Sequence, residues 1–171
     1  MRQSEERQEM ETMKPVLAAL LLALPMASHA QSPEEWIKLG EAVHGGFGTL
    51  IPLGIRIGLD ARERLKAGPR ELDVTYYDGD GTPCACVVDG ILIATSATPG
   101  QGTLRVVGGK AAQGFMGEAV ILNRKSGTRL RYRVSAAAYA QVLAWNKSHG
   151  TARERYDVVM QAPASSLFTA E

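Results

Sequence analysis

The sequence predicts an α+β fold, a single domain over residues 31–171 in which helices flank a mixed or antiparallel sheet. Three observations carry that expectation. Helix-forming segments stand at both ends of the stretch, capped at Ser32 and Ser135, with a further one opening at Ala152. Between them lie short runs with strand character, separated by Gly-, Asp- and Asn-containing turns. No internal repeat or low-complexity linker divides the chain.

Of the 171 residues, 45% are hydrophobic, too many for a disordered tail. Nineteen Lys plus Arg against 18 Asp plus Glu, with 6% aromatics, leave no basic excess to hold a nucleic acid. Two cysteines cannot build a disulfide framework or a four-cysteine zinc site. Met13–Ala30 reads as a secretory signal peptide: Lys14, an apolar run from Val16 to Leu24, then Ser28-His29-Ala30, with cleavage expected after Ala30. The run is too short for a stable membrane anchor, which takes about 20 apolar residues. Four glutamates precede it against two arginines, so translation is expected to start at Met13. Removing three basic and four acidic leader residues leaves a 141-residue domain with 16 and 14, exported to the periplasm or secreted.

Ser32-Pro33-Glu34-Glu35 has the form of a capping box with proline at the first helical position. Trp36, Leu39 and Val43 follow at helical spacing, and Gly45-Gly46-Phe47-Gly48 ends the helix. A second helix is expected from Thr49 or Pro52 to Ala67, where Gly68-Pro69 stops it. Gly54 and Gly58, one turn apart, would let another backbone approach closely. Leu72–Tyr77 reads as a strand, and Asp78-Gly79-Asp80-Gly81 as the turn after it rather than a calcium loop, because the closing Glu is missing. Cys84–Leu92 is an apolar run whose period decides nothing between strand and helix. Thr103–Val107, Ala119–Asn123 and Arg129–Val134 are further strands, the last two joined through Ser126-Gly127. Ser135–His149 and Ala152–Gln161 read as helices.

The residues that could carry chemistry are few. His44 ends a helix beside a glycine-rich loop, a position the helix dipole favours for histidine whether or not it has a further role. Cys84 and Cys86 would point the same way on a strand, where pairing would close only a tight ring; the expectation for each is an ordinary buried cysteine, with a metal pair as the alternative. Arg129, Arg131 and Arg133 alternate along one strand and read as a solvated face that discourages edge pairing. Gly108-Gly109-Lys110 does not match a phosphate-binding loop, and no nucleophile elbow or His-Glu-x-x-His helix is present.

Three segments in order resemble the FmdE-type family of formylmethanofuran dehydrogenase components, from about Trp36 to Arg133. His44-Gly45-Gly46-Phe47-Gly48, running on through Pro52 to Gly58, is similar to the family's H-G-H-x-C-P loop and the glycine-containing helix after it. Cys86-Val87-Val88-Asp89-Gly90-Ile91 resembles C-x-V-D-x-I-Q. Thr95 to Leu104 resembles T-G-C-T-x-G-K-G-N-L, and Gly109-Lys110-Ala111-Ala112 the G-K-x-A that follows.

The resemblance implies an α+β fold, a pocket where the His44 loop meets the Thr95–Thr98 loop, and a metal held there by cysteine and histidine. The chain departs at the donor positions: Gly46 for the second histidine, Gly48 and Ala97 for cysteines, Gln101 for lysine. Of the soft ligands only His44 and Cys86 remain, short of the three or four protein donors of a zinc site. A degenerate metal site is therefore expected, with a divalent cation left open as cofactor. The favoured reading is a pocket binding a small molecule through His44, Gly46, Gly48, Asp89, Thr95, Thr98 and Lys110. The alternative is an enzyme using His44 as acid/base and Cys86 as nucleophile or metal ligand. Neither reading needs a nucleic acid; a homodimer, or a structural role in a larger complex, stays open.

Overall fold

The computed structural model describes residues 31–109 and 111–171. The leader and the signal segment, residues 1–30, lie outside the described residues, as does Lys110.

Helix α1 (Pro33–His44) starts as its sequence dictates. Ser32 Oγ accepts from Glu35 N and the Glu35 carboxylate accepts from Ser32 N, so both exposed amides are satisfied. It ends at Gly45, whose φ of 81° suits a residue without Cβ. Helix α2 (Leu50–Arg64) stops three residues before the predicted end, because Lys66 turns into the left-handed region at φ 50°. Strand β1 (Leu72–Asp78) and the turn after it lead into helix α3 (Cys86–Thr95), which settles the ambiguous apolar run as helix. A short 3₁₀ turn (Pro99–Gln101) precedes β2 (Leu104–Val107). The hairpin β3 (Phe115–Asn123) and β4 (Arg129–Ser135) follows, its turn carrying Gly127 at φ 74°. Helices α4 (Ala136–Ser148), α5 (Ala152–Gln161) and α6 (Ala164–Leu167) and the two-residue β5 (Thr169–Ala170) complete the described chain.

The sheet runs β2-β1-β3-β4-β5, with β1 and β2 parallel and the other pairs antiparallel. It is the expected mixed sheet. Leu72, Val74, Tyr76, Ala119, Ile121, Tyr132 and Val134 alternate onto one face and form the core with Leu53 and Ile57 of α2, Val87 and Ile91 of α3, and Val142 of α4. A second cluster, Trp36, Phe47, Ile51, Ile55, Ala94 and Tyr156, fills the space among α1, α2, α3 and α5. Helix α2 is thus apolar on two sides, which is why its early part shows no single stripe. The opposite sheet face is polar. There Arg131 and Arg133 donate to the buried carboxylate of Glu118 at 2.8 and 2.9 Å, so the arginine stripe is an ion-pair network across β3 and β4 and not simply a solvated face.

Helices α2 and α3 meet backbone to backbone. A Cβ at Gly90 would lie 2.8 Å from Gly54 Cα and 2.7 Å from Ile55 N, and one at Gly58 would lie 2.6 Å from Ala94 Cβ. The close approach expected from Gly54 and Gly58 is therefore made by α3, and it fixes where the first turn of α3 sits. Among the described residues no helix is long and apolar enough to cross a membrane.

Candidate functional site

The first turn of α3 faces the end of α1. His44, the last residue of α1, brings Nδ1 to 2.7 Å from Asp89 Oδ2. An ionised carboxylate only accepts, so Nδ1 carries the proton and Nε2 is the free position of the neutral ring. Both side chains are about one-third exposed, at 32% and 29%. The pairing aims the imidazole; it does not bury it.

Beside this pair lies a cavity of about 240 Å³. Its walls are His44, Gly48, Thr49, Leu50 and Ile51 from the α1–α2 junction, Pro83, Cys84 and Cys86 from the entry to α3, and Leu143 and Asn146 from α4. The lining is mostly apolar. Asn146 Oδ1 accepts from Thr49 N at 3.0 Å, which ties the glycine loop to α4 and leaves the amide Nδ2 without a partner among the described residues. Thr49 Oγ1 donates to Val142 O at 2.7 Å, so its hydroxyl proton is committed. A Cβ at Gly48 would sit 3.2 Å from Asn146 Oδ1, so the missing side chain there is what lets α4 approach.

Cys84 and Cys86 form a disulfide, which corrects the expectation of two ordinary buried cysteines. The reason is local. On a strand, residues two apart stand about 6.6 Å from each other. The turn from loop into helix shortens the Cα–Cα distance to 5.2 Å, from the upper edge of the range a disulfide spans to well inside it. Both cysteines are half-buried, and both line the cavity. So short a ring adds little to stability: in the chain-entropy picture a three-residue loop is worth roughly 1.6 kcal/mol, against about 4.7 for a loop of a hundred residues.

The other expected ligand residues separate. Thr95 lies at the far end of α3, roughly 14 Å along the helix from Cys86 at 1.5 Å per residue. It is fully buried, donating to Ile91 O at 2.6 Å and accepting from Ala97 N at 3.2 Å. Thr98 caps the 3₁₀ turn by accepting from Gln101 N. Neither lines the cavity, so the His44 loop and the Thr95–Thr98 loop do not meet in one pocket; α3 stands between them. Gly46 does not line it either, and Asp89 takes part through His44. Thr49, Leu143 and Asn146 are additions that sequence reasoning misses: nothing in the sequence signals that α4, a hundred residues on, closes the cavity.

The metal implied by the resemblance does not fit these residues. Gly46, Gly48 and Ala97 carry no donor, the Cys86 sulfur is bonded to Cys84, and His44 Nδ1 is taken by Asp89. A disulfide sulfur is not the thiolate that zinc requires. Among the described residues no three His, Cys, Asp or Glu side chains are placed to share an ion.

Two other polar features stand apart. Tyr76 Oη, Asp78 Oδ1 and Tyr139 Oη are buried without a partner among the described residues. Burial, with the charge of Asp78 nearby, pushes Tyr139 up to about 12, and burial raises the Asp78 carboxyl above its ordinary range. A cavity of about 300 Å³ near the C-terminus contains one charged side chain, Arg133, already paired with Glu118 and, at 2.6 Å, with Glu171.

The family described as FmdE, molybdenum formylmethanofuran dehydrogenase operon, matches residues 43–169, three-quarters of the chain and nearly all of the described domain. The match begins one residue before His44 and runs through α6. No curated protein matches the chain.

Proposed function

The chain belongs to the FmdE family, and on that premise we propose that it is an exported domain that binds a small organic ligand in the cavity between His44, the Cys84–Cys86 disulfide and α4. The observation that carries this reading is the lining: apolar walls from Leu50, Ile51, Pro83 and Leu143, with His44 and Asn146 among the lining residues and their Nε2 and Nδ2 atoms not engaged by another described residue. Ligand sites have this make-up, and their volumes start near about 300 Å³, so this one suits a small guest. Nε2 accepts when the ring is neutral and donates when it is protonated, while Nδ2 donates. A compact apolar body bearing one hydroxyl or carboxyl group meets both. Export is supported by the signal-like Met13–Ala30 segment and by the disulfide, which persists in an oxidising compartment.

The test is an amide NMR titration with benzoate and with benzyl alcohol. Saturable shifts are expected at Gly48, Thr49, Cys86 and Asn146, abolished by Leu143→Trp, which fills the cavity. No shift at those amides at millimolar probe, or shifts that survive Leu143→Trp, would overturn the reading. Catalysis by His44 with Cys86 has one observation in its favour, that both line the same cavity. A sulfur held in a disulfide is not a nucleophile, however, so that reading fails for the oxidised protein.

A further inference from the structure

We propose that the Cys84–Cys86 disulfide is a thiol–disulfide exchange site, which takes two electrons from a small dithiol entering through the cavity. The exchange uses the same cavity as the binding reading but does not require a bound ligand.

Three observations support it. Both sulfur-bearing residues are half-buried on the cavity wall and so can be reached, whereas a disulfide serving only the fold is commonly sealed in the core. Only Ala85 separates the two cysteines, so the bond constrains almost none of the chain. The two sulfurs are also unequal. Cys86 is the first residue of a ten-residue helix whose N-cap, Ala85, supplies no side-chain acceptor; Val88 N donates to Ala85 O at 2.9 Å, and the Cys86 and Val87 amides have no acceptor among the described residues, so the positive end of the helix favours a negative sulfur there. Cys84 lies in the loop before it and has no such support. Asp89, the acidic residue of that first turn, is occupied by His44.

That inequality sets the direction of attack, because the better-stabilised thiolate is the better leaving group. One thiolate of the incoming dithiol attacks Cys84 Sγ; the Cys84–Cys86 bond breaks, and its electron pair leaves on Cys86 Sγ at the helix N-terminus. The second thiol of the same molecule gives up its proton and attacks its own sulfur in the mixed disulfide. The bond to Cys84 breaks, the dithiol leaves as a cyclic disulfide, and the two protein thiolates take up the two protons released. The dithiol is oxidised by two electrons and the protein reduced by two.

The test uses the full chain as purified and needs no variant in its first arm. Glutathione, a monothiol, is added under native conditions, and the products are trapped with iodoacetamide and mapped by peptide mass. The expected product carries glutathione on Cys84 and the alkyl group on Cys86. With dithiothreitol the disulfide should open at least about tenfold faster than oxidised glutathione does, with the circular dichroism spectrum unchanged. Leu143→Trp should slow dithiothreitol by a similar factor. Glutathione on Cys86 would overturn the proposal, as would reduction only in denaturant, free thiols that oxidised glutathione cannot pair, or a rate indifferent to Leu143→Trp. Failure of benzoate to bind leaves all of these readouts intact, so the two readings fall separately.

Discussion

Gly90→Ala tests the claim that the site is positioned by a backbone contact. The added methyl would stand 2.8 Å from Gly54 Cα and 2.7 Å from Ile55 N, and it would overlap the carbonyl oxygen of Ile51. Carbon atoms pack at about 3.5–4.0 Å, so the helices must part by roughly 1 Å. No rotamer change can absorb this, because all three obstacles are main-chain atoms. The seam contains Ile51, Ile55, Val87 and Ile91, each at most 1% exposed, and a 1 Å gap forfeits up to about half of their dispersion contact. Overpacking costs typically ~1–3 kcal/mol, and here about 3–4 because backbone must move; alanine's better helix propensity returns about 1. The expected net loss is about 2–3 kcal/mol, or about 8–12 °C in Tm for a domain of this size. Urea denaturation of Gly90→Ala should show a lower midpoint at unchanged slope. Gly100→Ala is the control, since a Cβ there meets nothing within 4 Å. A Gly90→Ala protein within about 0.5 kcal/mol of the parent, the usual range for a surface change, would refute the close packing of α2 on α3.

Four other outcomes are expected. Asp78→Asn should stabilise the protein at neutral pH: burial raises the folded-state carboxyl above its unfolded value, so ionising it costs stability as pH rises through the folded value, and the advantage of the variant should vanish in acid below the unfolded value; equal denaturation midpoints at both pH values would contradict this. Arg56→Met removes donors to Val159 O, at 2.9 Å, and to Ala162 O, and should cost about 1.5–3 kcal/mol by loosening α5 from α2; an unchanged Tm would show that those carbonyls need no partner. Gly45→Ala places a side chain at φ 81° and should cost about 1 kcal/mol with little change in the core, measurable by the same urea titration. If export holds, cells making the full chain should release a form beginning at Gln31, identified by mass; a retained form beginning at Met1 or Met13 would count against it.

Where local chemistry decides the outcome, the sequence is legible. The capping box at Ser32, the Ser135 cap, the left-handed glycine after His44 and the hairpin glycine at 127 all act within a few residues of themselves, and each element begins or ends there. The Gly54–Gly58 spacing announces a close helix contact but not its partner. Helix α3 is hidden for a related reason. Gly90 faces α2 on one side, Val87 and Ile91 join the sheet core, and Ala94 joins the other cluster, so no polar stripe marks a period. With no period to place that run on a helix, the strand reading leaves Cys84 and Cys86 to close only a tight ring, which argues against pairing. Thr95 and Thr98 qualify as ligands by their hydroxyls, yet those oxygens are consumed in ending α3 and capping the next turn. Asn146 and Leu143 reach the cavity only because α4 docks there, a fact carried by tertiary packing alone.

The donor losses and the disulfide are two sides of one chemical change. Glycine at 46 and 48 and alanine at 97 leave Cys86 as the single thiol among the positions that the resemblance assigns to soft ligands. A lone thiolate at a helix N-terminus, half-exposed on a cavity wall, would be open to oxidation up the sulfenic and sulfinic ladder. Cys84, two residues before Cys86, holds that sulfur in a disulfide instead, the bond that the proposed exchange would reopen. Gly48 then serves a second end, since without a side chain there the loop lies close to Asn146 of α4, and His44 lines the same cavity with its ring held by Asp89. What lines the cavity beside His44 is therefore a disulfide, where the resemblance would place thiolate donors.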